Sequence, residues 1–86
     1  MRFILTGRFK DAYRSLPDSL RKKADKAFRL LAENPRHPSL RLKKIEGTPG
    51  IWEARIDRGC RMTLETRADA FILRNIGKHD ETLDNP

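Results

Sequence analysis

Arg55 and Arg61 lie on either side of Arg58-Gly59, a dipeptide with the chemistry of a two-residue hairpin turn. Folding the chain back at that turn sets the two arginines side by side. Both fall on the polar side of an alternating pattern. Trp52, Ala54 and Ile56 occupy one side of the first run and Glu53, Arg55 and Asp57 the other, while Met62 and Leu64 point opposite to Arg61. Neighbouring guanidiniums repel unless an anion bridges them, and their forked donors suit a phosphate. The alternative is that each is matched across the strands by Glu53, Asp57 or Glu65. The pattern supports both readings equally.

His79 follows Ile76-Gly77-Lys78, just past the last predicted strand. An imidazole titrates near neutrality, so it can serve as acid or base on a ribose hydroxyl or a leaving oxygen. Taken alone, a histidine in such a place is more often plain surface. His37, between Pro35 and Pro38, reads as structural. Lys43 and Lys44 could track a phosphate backbone, with Lys78 beside His79 as a third contact, although an isolated lysine is usually just solvated. The two histidines lack supporting carboxylate spacing, so no metal motif arises, and neither a metal nor a cofactor is expected. The five glycines sit scattered at turns rather than in a phosphate loop. Ser15, Ser19 and Ser39 fall at helix ends or in loops, so no Ser-His-Asp assignment can be argued. Cys60 reads as a tolerated small residue rather than a nucleophile, and a lone cysteine excludes an intramolecular disulfide.

The elements that must hold these residues are legible in the pattern. Arg2 to Leu5 reads as a short strand. Thr6 is a plausible N-cap, with Phe9, Tyr13 and Leu16 on one face of the helix that follows. Pro17 breaks that helix, and Asp18 or Ser19 can cap a second. There Leu20, Ala24, Ala27, Phe28 and Leu31 follow the 3.6-residue period, and Asn34-Pro35 ends it. Leu40 to Ile45 begins to alternate, Gly47-Thr48-Pro49-Gly50 is a turn cluster, and strands follow over Ile51–Asp57, Arg61–Glu65 and Ala70–Asn75, the last two parted by a turn at Ala68-Asp69. A strand, a helix pair and an antiparallel meander of three to four strands make an α+β domain, with the helices on one face of the sheet and Arg55 and Arg61 exposed on the other. At 86 residues, this is read as a single domain over 1–86.

Charge narrows the partners. Nineteen basic residues stand against 12 acidic ones, for a net charge of +7. The excess is concentrated in residues 1–44, with 13 basic and 4 acidic, whereas 45–86 carry 6 and 8. A field of that sign draws polyanions, nucleic acid first among them. No run approaches the ~20 apolar residues of a membrane span. The N-terminus has no signal-peptide pattern, so a soluble cytoplasmic protein is expected.

In the order and spacing of its motifs the chain resembles the RelE/ParE superfamily of toxins from bacterial type II toxin–antitoxin modules. The resemblance runs from the first strand through Glu33-Asn34-Pro35, Leu40 to Gly47, Gly50-Ile51-Trp52-Glu53-Ala54-Arg55-Ile56 and Gly59-Cys60-Arg61-Met62 to Ile76-Gly77-Lys78-His79-Asp80. It implies a small RelE-like fold and, for RelE-like members, a metal-independent endoribonuclease that cuts mRNA on the ribosome and inhibits translation. Arg55 falls where such toxins place a basic or histidine residue, and Arg61 at the arginine after the hairpin turn, with Cys60 replacing a common tyrosine. His79 falls where the YafQ-like members have a functional histidine, and Leu83 at an apolar or aromatic position of that branch. Glu53 stands in place of a second lysine, and Asn85 lies near the place of a missing late tyrosine. The implied partners are a cognate antitoxin, forming a hetero-oligomer, and mRNA on the ribosome. The alternative within the superfamily is a ParE-like, non-enzymatic inhibitor of DNA gyrase.

Overall fold

The central hairpin is built as its alternation requires. In the computed structural model, which describes residues 2–86, β3 (Ile51–Asp57) and β4 (Cys60–Arg67) pair antiparallel, and Arg55 lies directly opposite Arg61. β5 (Ala70–Lys78) returns antiparallel to β4, beyond a turn in which Ala68 takes a positive φ of 35°. The last strand of the meander then receives β1 (Arg2–Leu5) in parallel on its outer side. A two-residue β2 (Lys43–Lys44) borders β3, so the sheet order is β1-β5-β4-β3-β2.

The helix pair covers one face. Thr6 caps α1 (Gly7–Arg14) by accepting the Phe9 N–H at 3.1 Å, as its position predicts. Its hydroxyl in turn donates to the Leu73 carbonyl, fastening the helix start to β5. The start of α2 (Asp18–Glu33) differs from expectation. Pro17 occupies the cap and Asp18 is the first helical residue, with no side-chain cap bond. The Pro17 carbonyl accepts the first helical bonds, and Asp18 instead pairs with Arg21 one turn on. The two helices meet through Phe28, whose ring lies 5.9 Å from Phe9 and 6.0 Å from Tyr13.

Beneath them Ala54, Met62, Leu64, Leu73 and Ile76 form the sheet's side of the core, with Leu31 and Leu40. Leu73 and Ile76 are an odd number of residues apart and both are buried. An irregularity in the β4–β5 ladder allows this: Thr63 pairs with Asn75 but Leu64 with Leu73, so Arg74 is extra and the alternation slips by one. The run from Leu40 is also shorter as a strand than its alternation suggests. Pro38–Leu40 forms a 3₁₀ turn, and only Lys43–Lys44 pairs.

Two features lie outside the sequence reading. Residues His79–Asp84 form a third helix, α3. Behind it, the chain end is tied across the sheet's outer face: Thr63 Oγ1 and Arg74 Nε donate to the Pro86 carbonyl at 3.2 and 2.9 Å, and Asn75 Nδ2 to that of Asn85 at 3.0 Å. That face is therefore partly covered, and Thr63 on it is fully buried.

Candidate active site

The β3–β4 turn gathers the candidate groups at one end of the sheet. Asp57 organises it by accepting the Gly59 N–H at 3.0 Å, an Asx-type closure that suits the Arg58-Gly59 pair. Burial pushes the Asp57 carboxyl up, but the Gly59 N–H and Lys23, whose ammonium lies 3.3 Å away, outweigh it and hold the group below its ordinary value.

Arg61 is held, not free. Its Nη1 donates to the carbonyls of Asp57 at 2.6 Å and Cys60 at 3.0 Å, and its Nε lies 3.9 Å from Glu53. Only 14% of the side chain is exposed. The expectation that Arg61 points into solvent is therefore corrected: the Asp57 and Cys60 carbonyls, with the Glu53 carboxylate nearby, hold its guanidinium. Nη2 has no partner among the described residues and stays available to an anion.

Glu53 sits between two cations, 3.8 Å from the Lys43 ammonium and 3.9 Å from Arg61, and is nearly buried. Lys44 is exposed beside it with no ion pair among the described residues. Arg55, opposite Arg61 in the ladder, likewise has no acidic partner there. It lines a cleft between β3, α2 and the 3₁₀ turn, together with Lys23, Lys26, Arg41 and Arg58. Lys23 and Lys26 belong to α2 and Arg58 to the β3–β4 turn. Only the docking of α2 against β3 brings them together.

His79 reaches the same end through its backbone. Its N–H donates to the Gly59 carbonyl at 2.9 Å, and two residues earlier Gly77 pairs with Arg61. The ring is half exposed, and its Nδ1 lies 2.9 Å from an Asp80 carboxylate oxygen. No hydrogen bond joins the imidazole to Arg55 or Arg61 among the described residues. Lys78, exposed, pairs with Cys60 in the ladder. Cys60 itself is a core residue, 2% exposed, and burial pushes its thiol up to about 11, which excludes a thiolate nucleophile at neutral pH. No group of three potential metal ligands occurs among the described residues. No helix there is long and apolar enough to cross a membrane.

No family model matches the chain, and no curated protein matches it by sequence. Solved structures do. A YoeB/ParE toxin from Agrobacterium tumefaciens superposes with a TM-score of 0.76 at 18% identity, over 92% of this chain and 99% of that one. YafQ from E. coli gives 0.78 at 13%, over 94% and 97%. The structure of a RelB–RelE antitoxin–toxin complex from Methanococcus jannaschii gives 0.73 at 19%, over 96% and 98%. The strand, helix pair and meander that carry the arginine pair and His79 are thus the fold of the RelE/ParE toxins.

Proposed function

We propose that this chain is the toxin of a type II toxin–antitoxin pair and a metal-independent endoribonuclease acting on ribosome-bound mRNA in the cytoplasm. One observation carries the reading. Arg55 and Arg61 face each other across the ladder, and His79 is bonded through its backbone to the turn joining their strands. The groups proposed to bind phosphate and to transfer a proton thus share one end of the sheet.

The chemistry follows from those groups. The 2′-oxygen attacks the adjacent phosphorus, the bond from phosphorus to the 5′-oxygen breaks, and a cyclic phosphate and a free 5′-hydroxyl result. His79 takes the proton from the attacking hydroxyl or delivers one to the leaving oxygen. Arg55 and the open Nη2 of Arg61 face the charge that grows on the phosphoryl oxygens. Lys43, Lys44 and Lys78 hold the flanking backbone. The antitoxin is an acidic, partly disordered protein that folds along the cationic surface. The resemblance to toxins solved with their antitoxins, such as the E. coli DinJ–YafQ complex, supports this partner.

Glu53 favours a second reading. A carboxylate between Lys43 and Arg61 lowers the positive potential where a phosphate would bind. That suits a ParE-like inhibitor of DNA gyrase, which needs no such site. Inducing the chain and assaying mRNA cleavage and DNA supercoiling side by side separates the two. Cleavage with normal supercoiling supports the nuclease; altered supercoiling with intact mRNA overturns it.

A further inference from the structure

Beyond the turn, the loop after α2 separates two recesses, and Arg41 lines both. On one side is the cationic cleft of Lys26, Arg55 and Arg58, in which the one carboxylate, Asp57, is already engaged by Lys23. On the other is a recess of about 590 Å³, in the size range of small-ligand sites, with Trp52, Phe71 and Leu42 among its walls and Arg36 and His37 at its border. Arg41 and Arg36 are exposed and have no ion pair among the described residues.

Arg41 holds this place at a cost. Its φ of 44° and ψ of 44° are left-handed, a conformation that crowds a residue with a Cβ, and glycine would end the 3₁₀ turn without that strain. Strain kept at a border between two recesses points to use of the side chain. His37 is also pre-set. Its Nδ1 accepts the Ser39 N–H at 3.2 Å, so the neutral ring carries its proton on Nε2, a donor.

From this juxtaposition we propose that the two recesses form one binding track for single-stranded RNA, with phosphates in the cationic cleft and an unpaired base lodged against Trp52. It rests on the nuclease reading for the choice of nucleic acid, but uses none of the cleavage groups except Arg55. Single-strand sites combine a positive groove with an aromatic stacking surface, and both are here, joined by one arginine. An acidic peptide would satisfy the cations equally, yet it makes no special use of an indole face. The track would hold message to the protein independently of the ribosome and give the flanking base a part in selecting where cleavage occurs.

Trp52 is the sole tryptophan, so its fluorescence reports on the recess directly. The experiment titrates the purified full chain with a short uridine-rich RNA in the absence of ribosomes. Saturable quenching is expected, with log affinity falling by about 0.7 per contacted phosphate for each tenfold rise in salt. Arg41→Gly relieves the backbone and removes the guanidinium, so it should melt no earlier yet bind at least tenfold more weakly, while Arg41→Lys recovers part of the loss. An abasic chain of equal length should bind without quenching. RNA that leaves the fluorescence unchanged, Arg41→Gly at wild-type affinity, or a polyglutamate peptide that quenches as strongly as RNA would each overturn the proposal. Because no ribosome is present, a failure of the cleavage reading shows in the cleavage assay alone and leaves this titration intact.

Discussion

Arg55 and Arg61 stand opposite each other in the β3–β4 ladder, yet their charges are differently engaged. Arg61 is drawn back onto the turn carbonyls and faces Glu53, whereas Arg55 lines the cleft beside α2 with no acidic partner among the described residues. One arginine is therefore rigid and pre-positioned, and the other free to meet a ligand.

Replacing Arg61 should accordingly affect both folding and cleavage. Arg61→Ala strips a cation from a nearly buried carboxylate and removes the guanidinium bonds to the Asp57 and Cys60 carbonyls, so its melting temperature should fall. Loss of a transition-state contact is typically worth ~10²–10³ in rate. Arg61→Lys keeps the charge without the fork and should lie between. The double variant Glu53→Gln/Arg61→Ala separates the two effects: thermal melts should recover while single-turnover cleavage of ribosome-bound mRNA does not. Recovery of both would reduce Arg61 to a fold-stabilising residue.

His79→Ala should cost roughly 10²–10⁴ in cleavage, the usual contribution of one positioned proton-transfer group. The melting temperature should barely move, because the bond to Gly59 is made by the backbone N–H, which alanine retains. His79→Gln should be as inactive, since an amide cannot titrate. Wild-type single-turnover cleavage by His79→Ala would remove His79 from the chemistry.

Acid should weaken the fold through two carboxylates. Glu65 is held below its ordinary value by the hydrogen bond from Arg67 and by the charges of Arg67 and Arg74. Asp57 is held below its own by the Gly59 N–H and Lys23, against the upward push of burial. A lowered native value means the unfolded chain binds protons first. The stabilisation is whole above the ordinary carboxylate value of about 4, and is lost as pH falls below it through the lower native values. Chemical denaturation at pH 7, 5 and 3 should show little change over the first interval and a clear drop over the second. Glu65→Gln should flatten that drop.

Cys60 should be inert in the folded protein. It is buried, and its thiol is pushed to about 11, so an alkylating reagent at pH 8 should label it only through unfolding. Labelling should accelerate in step with added denaturant and follow the melting of the β4–β5 ladder. Rapid labelling of the native protein would show that this end of the sheet opens locally.

Much of this architecture is written in local chemistry. Alternation over Ile51–Asp57 and the Arg58-Gly59 turn determine the hairpin. The turn alone would pair Arg55 with Met62, and it is the irregularity between Arg55 and Asp57 that sets Arg55 across from Arg61. Thr6 and the 3.6-residue spacing of Leu20, Ala24, Ala27 and Leu31 likewise determine the helices. Other features depend on contacts between distant segments, which no local pattern encodes. The slip at Arg74 that buries both Leu73 and Ile76 arises from packing of β5 against the core. The retraction of Arg61 depends on the Asp57 and Cys60 carbonyls, which only the folded turn brings to its guanidinium. The parallel docking of β1 on β5 and the chain end laid across Thr63 join residues more than twenty positions apart. The cationic cleft is the clearest case. Lys23 and Lys26 look like solvated helix surface, Arg41 like a loop and Arg58 like a turn, and their charges become one field only when α2 comes down on β3. Local propensity decides which elements form, and the burial of their apolar faces against one another decides which charges become neighbours.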